Sequence, residues 1–278
     1  MSPYFSMLVR LVPALVLAAC GALPVRVSMD TAQWQRHLRA TELPAVLLLG
    51  EQHDAPEHQQ WERETLQVLM ERQQLAAVVL EMADQGLSTQ GLPATASEAQ
   101  VQQALQWNAQ AWPWHSYGPA VMHAVRAGIP VVGGNLPRSE MKIVMQQPHW
   151  DRHLPALAWE HQRDAIRTGH CNLLPESQIT PMARIQLAKD ARMAQTITQY
   201  LEPGKTVLLL AGRGHVLRNV GVPTWLPAHV HYAVAVAQAG EPPITLANDS
   251  DYVVQTPALP DTDHCASLRQ KWKASTNP

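Results

Sequence analysis

The run Ala45-Val46-Leu47-Leu48-Leu49 stops at Gly50 and is followed at once by Glu51 and His53, and no other feature constrains the fold so tightly. A stretch that is short and apolar at every position has no solvent face. It fits a strand in a parallel sheet covered on both sides. The plan returns late in the chain, where Thr206-Val207-Leu208-Leu209-Leu210-Ala211 leads into Gly212-Arg213-Gly214-His215. Both runs end in Gly-x-x-His, which puts both histidines at strand ends on one rim of a sheet.

The segments between the two runs extend this reading. Asp54 reads as a helix cap with Pro56 in the first turn, where its missing N–H costs nothing, and the helix is expected to reach about Gln74. Ala76 to Met82 is a second buried strand carrying Glu81, and strand-helix-strand crossovers are overwhelmingly right-handed and parallel. Ile129 to Asn135 is a third strand, with Arg138 in the turn beyond it. Val230–Val236 and Tyr252–Val254 add two more. Helices are expected from Asp30 or Thr31 to Arg39, from Tyr117 to Arg126 and from Thr180 onward. Residues 84–114, rich in Gln, Ala and Ser, read as a helical insertion or lid with a helix over 97–110. Residues 141–169 read as helical pieces broken by Pro148 and Pro155. The expected class is α/β: one domain over 20–278 with a largely parallel central sheet flanked by helices.

In such sheets ligands bind beyond the carboxyl ends of the strands. Glu51, His53, Glu81 and His215 all fall there and are the candidates for any chemistry, while Asn135, Arg138 and Arg213, with His170 from a later segment, are candidates for holding a ligand. One glutamate after a strand often only caps a helix. Several ionisable groups on one rim are costly unless they pair or bind something. Two histidines and a carboxylate can hold a divalent metal with an open position; without metal, a glutamate can act as general base beside an imidazole. His-Glu-x-x-His, Gly-x-Ser-x-Gly and the Walker loop are all absent.

Composition adds one exclusion. The net charge of −2 gives no support for a nucleic-acid partner. The amino terminus is more informative: Leu11 to Ala19 is apolar and Leu17-Ala18-Ala19-Cys20 resembles a bacterial lipobox. Residues 1–19 are therefore expected to be a signal peptide and Cys20 a lipidation site, an ordinary signal peptide being the alternative. Gly21 after the cysteine points to the outer membrane. Cys171 and Cys265 remain, open to a disulfide, free thiols or metal ligation.

Gly50-Glu51-Gln52-His53-Asp54, Leu80-Glu81-Met82, Gly134-Asn135-Leu136-Pro137-Arg138, Gly169-His170-Cys171, Ala211-Gly212-Arg213-Gly214-His215 and Asp251-Tyr252 together resemble the ChaN haem-binding lipoproteins. These lie within the superfamily of Tiki proteases, TraB-like proteins and erythromycin esterases. The resemblance implies a lipid-anchored, periplasm-facing protein that binds haem through a tyrosine, holds or transfers it during haem or iron uptake, and dimerises on haem binding. Of Tyr117, Tyr200, Tyr232 and Tyr252, Tyr117 is the candidate iron ligand, beside Trp112, Trp114 and His115, with His115, His123 or His170 replacing or supporting it. The alternatives are a peptidase or esterase using the Glu/His rim, with or without a divalent metal, and a non-catalytic envelope lipoprotein. Whether the chain is an enzyme is left open.

Overall fold

A computed structural model describes residues 27–241, 248–263, 265–266 and 268–270; the expected leader and Cys20 lie outside them. Seven strands form one sheet, β1 (Val27–Asp30), β2 (Val46–Glu51), β3 (Leu75–Asp84), β4 (Val131–Asn135), β5 (Thr206–Gly212), β6 (Tyr232–Ala239) and β7 (Tyr252–Thr256). Their order is β1-β7-β6-β2-β5-β3-β4, and every pairing is parallel. The α/β class with a largely parallel sheet is what the apolar runs demanded. β1 was not anticipated, because its four residues carry no apolar run; it is an edge strand paired only to β7.

The alternation along β2 shows why both faces had to be covered. Leu47 and Leu49 join Leu208 and Leu210 of β5 in a core that includes Trp34 of α1 (Thr31–Ala40), Trp61 of α2 (Pro56–Glu71) and Val121 of α4 (Trp114–Arg126). Val46 and Leu48 point the other way, with Val207 and Leu209, toward Met193 and Ile197 of α7 (Glu176–Gln199). Each such side chain removed from water contributes about 1.5–3 kcal/mol before chain entropy is subtracted. No helix of the described residues is long and apolar enough to cross a membrane.

Several boundaries differ from expectation. α1 opens with a capping box in which Asp30 accepts from the Gln33 backbone. α2 begins at Pro56 with Ala55, not Asp54, as its cap, and ends at Glu71, before Gln73 takes a positive φ of 57°. α4 starts at Trp114 and runs through Pro119, while α7 starts at Glu176 and carries Pro181 inside it. In both, the proline sits near the amino-terminal end, where few intrahelical bonds are lost. The insertion holds only α3 (Glu98–Ala104), capped by Ser97, the rest being turns. Residues 141–169 form α5 (Met141–Met145), a 3-10 turn over Pro148–Arg152 and α6 (Ala156–Gly169), which Pro155 caps.

Candidate functional site

The sheet order sets β2 and β5 side by side, with Glu51 in register with Gly212. The two Gly-x-x-His motifs are thus adjacent, and each glycine makes room for the other motif. A Cβ on Gly50 would lie 2.4 Å from Val216 Cγ2 and 2.9 Å from Arg213 Cα in α8 (Arg213–Val216). A Cβ on Gly212 would lie 2.7 Å from Nε2 of His53. Together the motifs line a cleft of about 440 Å³ formed by residues 51–54 and 212–215.

Beneath the cleft, Glu81 of β3 is the hub. Its carboxylate accepts from the Gly212 backbone N–H at 2.9 Å, and it lies 3.2 Å from His215 Nε2, 3.5 Å from Lys189 Nζ and 3.8 Å from His53 Nε2. Burial opposes its charge, but His215, Lys189 and His53 hold its pKa well below the usual carboxylate range. His215 is gripped from both sides, its Nδ1 lying 2.6 Å from Asp190 Oδ1. Burial again opposes the ion, and Glu81 with Asp190 overcomes it, so that the imidazole pKa rises to about 10. Asp190 moves up to about 6, because burial outweighs the attraction of His215.

A second layer holds His53. Its Nδ1 lies 2.7 Å from Glu51 Oε1, and the same oxygen accepts from the Tyr117 hydroxyl at 2.6 Å. The Gln59 amide donates to the other Glu51 oxygen. Burial lowers the His53 pKa, yet hydrogen bonding to Glu51 and the charges of Glu81 and Glu51 raise it above the ordinary value. Trp112 of the insertion packs edge-on against the ring at 4.8 Å between centroids, so the insertion does reach the rim. His53 remains 40% exposed along its side chain, the accessible imidazole of the cleft. Its geometry, one nitrogen oriented by a carboxylate and the other open beside a second carboxylate, suits proton transfer or donation to an anionic group.

His58 anchors the outer edge. The Gln52 backbone N–H donates to its Nδ1 at 2.9 Å, so Nε2 carries the proton and donates to Thr256 at 3.0 Å. Burial and Arg213 lower its pKa to about 4, leaving it neutral.

The other expected site residues divide between the cleft and its surroundings. Asn135 is buried, donating to the Glu81 carbonyl at 2.7 Å and accepting from the Leu136 N–H at 2.8 Å; both ends of its amide brace the strand end. Arg138 is exposed in a 3-10 turn and does not line the cleft. Arg213 does line it, its guanidinium donating to Gln238 at 2.6 Å. His170 ends α6 with Nδ1–H donating to the Ile166 carbonyl at 2.8 Å, outside the cleft. Tyr117 is 3% exposed, and burial with the neighbouring Glu51 pushes its phenol far from ionisation. Among the described residues, no group of three or more His, Cys, Asp or Glu side chains is arranged to hold a metal ion, so the divalent metal has no donor set here.

Asp190 and Lys189 were not anticipated. Their signal lies in α7, where Ala183, Leu187, Asp190, Ala194 and Ile197 follow a four-three spacing and are all buried. An acid in that apolar series must have a partner, and His215 is that partner.

Residues 38–226 match the family described as "Haem-binding uptake, Tiki superfamily, ChaN". The chain belongs to this family. A structure titled as cofacial haem binding to ChaN of Campylobacter jejuni has the same fold, with a TM-score of 0.64 and 23% identity over 81% of this chain and 94% of that one. A Bacillus cereus protein aligns over 76% of this chain and 75% of its own, at 12% identity and a TM-score of 0.38. No curated protein matches the chain.

Proposed function

We propose that this chain is a lipid-anchored haem-binding protein that holds or transfers haem during haem uptake, facing the periplasm from the outer membrane. Membership of the haem-binding uptake family carries the reading. Two features agree with the location. Cys20 ends a lipobox-like stretch, and Cys171 is joined to Cys265 with Cα atoms 5.7 Å apart, a pairing that suits an oxidising compartment. The Campylobacter jejuni protein is described as binding haem cofacially, and the reading extends to a haem-linked dimer of this chain. Haemin titrated into the purified full chain is expected to give a saturable Soret shift, and the bound form to run as a dimer by light scattering. A linear, unsaturable response sinks the reading. Radiolabelled palmitate is expected to label the wild type and not Cys20→Ala.

The cleft favours a second activity. His53, oriented by Glu51 and set beside Glu81, is placed to move a proton in ester or peptide hydrolysis. A substrate screen comparing the wild type with His53→Ala decides this; equal turnover by both discards it.

A further inference from the structure

A cavity built to hold a ligand combines an apolar lining with a few polar groups that folding leaves without partners. About 230 Å³ of space lies between α6, α7 and the segment after α8. Ala165, Ile166, Leu217 and Val220 give it an apolar wall. It meets the strand-end cleft at Gly214 and His215, but both ring nitrogens of His215 are taken, one by Glu81 and one by Asp190. That imidazole is wall here, with nothing left to offer a ligand.

Gln162 is the informative residue. Only 9% of it is exposed, yet its amide makes no hydrogen bond to another described residue. Leaving a buried amide unmade costs about 1–3 kcal/mol. Trp61 Nε1 and Glu62 Oε1 are also unpartnered, but they are sealed inside the protein, whereas the Gln162 amide keeps its remaining surface and lies on the cavity wall. Gln186 of α7 lines the same space, and its amide is likewise unbonded among the described residues. Each such amide carries N–H donors and a carbonyl acceptor. No Lys, Arg, Asp or Glu lines the cavity, so nothing there is placed to neutralise a charged ligand. A neutral group that both donates and accepts, attached to an aliphatic body, fits this wall, and a peptide unit with its side chain is such a group. Size narrows it further, because pockets that enclose drug-sized ligands run to roughly 300–1,000 Å³. This one takes about a single residue.

We infer that the cavity is a peptide-recognition site, seating one aliphatic side chain against Ile166 and Val220 while Gln162 and Gln186 hydrogen-bond the amide group beside it. The site stands apart from haem binding and from turnover at His53, and its failure leaves both of those readings as they are.

The test is a titration of the full chain with N-acetyl-leucine methylamide, followed by backbone amide NMR. Saturable shifts are expected at Ala165, Ile166 and Val220. N-acetyl-glycine methylamide, which lacks the side chain, and isoamyl alcohol, which lacks the amide, are each expected to bind at least about tenfold more weakly. Gln162→Leu is expected to raise the Kd for the leucine probe at least about tenfold, equivalent to about 1.4 kcal/mol, while the melting temperature holds or rises, because no internal hydrogen bond is lost. Ala165→Phe, which sets a ring in the wall from an exposed position on α6, is expected to abolish binding of the leucine probe. Equal affinity for the leucine and glycine probes, or for the leucine probe and the alcohol, overturns the proposal. So does unchanged binding in Gln162→Leu, a fall in its melting temperature, or the absence of any saturable shift in the wild type.

Discussion

His215 Nε2 lies 3.2 Å from Glu81 Oε1 in a wall of the protein that water barely reaches. The pair joins β3 to the end of β5, and Asp190 closes it from α7. Breaking one member of such a buried pair leaves the other charge uncompensated. Glu81→Gln is therefore expected to cost about 3–5 kcal/mol in urea unfolding, and to lower the His215 pKa from its value of about 10. A variant as stable as the wild type refutes the hub role of Glu81.

The same pair sets a pH dependence. The folded pKa of His215 is raised from 6.5 to about 10, so its contribution to stability is complete below about 6.5 and is lost as pH rises toward about 10. Across that window the slope reaches up to about 1.4 kcal/mol per pH unit from this one group. Thermal unfolding from pH 6 to 10 is expected to show a falling melting temperature, with the fall much reduced in His215→Gln. Parallel curves for the two proteins count against the assignment.

The two motif glycines are expected to respond differently to the same change. In Gly50→Ala the new methyl meets Arg213 Cα, a backbone atom that cannot step aside, and the loss is expected to be about 1–3 kcal/mol. In Gly212→Ala the methyl meets the tip of His53, which can swing outward. Stability then changes little, while the imidazole leaves Glu81 and its pKa, followed by NMR, falls toward the ordinary value. Equal destabilisation by both substitutions contradicts the reciprocal packing.

What could be read from the sequence follows from the same physics. Apolar runs such as Val46–Leu49 and Leu208–Leu210 declare buried parallel strands, and their shared Gly-x-x-His endings place Glu51, His53 and His215 on one rim. Strand order is carried by no residue in isolation, so the adjacency of β2 and β5 came only from the fold. Arg138 and Asn135 followed a strand end as well, but one turned to solvent and the other to the backbone, a choice made by local turns. Asp190 was hidden for the opposite reason, since the apolar periodicity around it drew attention to packing. β1 carries too few apolar residues to be told from a loop.

Tyr117 offers a further test of the layers beneath the cleft. Its hydroxyl donates to Glu51 at 2.6 Å in a buried setting beside Trp107 and Trp112. Tyr117→Phe keeps the ring and removes only the donor, so the expected loss is about 1–3 kcal/mol. The commitment of the phenol to Glu51 predicts that the haemin spectrum of this variant matches the wild type. Loss of the iron-ligand signature in Tyr117→Phe would restore the tyrosine as ligand.

The link between Cys171 and Cys265 spans 94 residues and ties the carboxy-terminal segment to the turn between α6 and α7. Cross-linking so long a loop removes much of the freedom of the unfolded chain, and losing such a bond typically costs about 2–5 kcal/mol. Cys171 itself sits at a positive φ of 57°, followed by Asn172 at 56°, so the turn takes a shape that side-chain residues rarely adopt unaided. Reduction with dithiothreitol, or Cys265→Ser, is expected to lower the melting temperature of the full chain by several degrees. The turn held by Cys171 directly follows α6, so the loss is expected to appear first as faster amide exchange over Arg167 to Leu174. Exchange that rises uniformly along the chain would mean that the bond acts on the unfolded state alone.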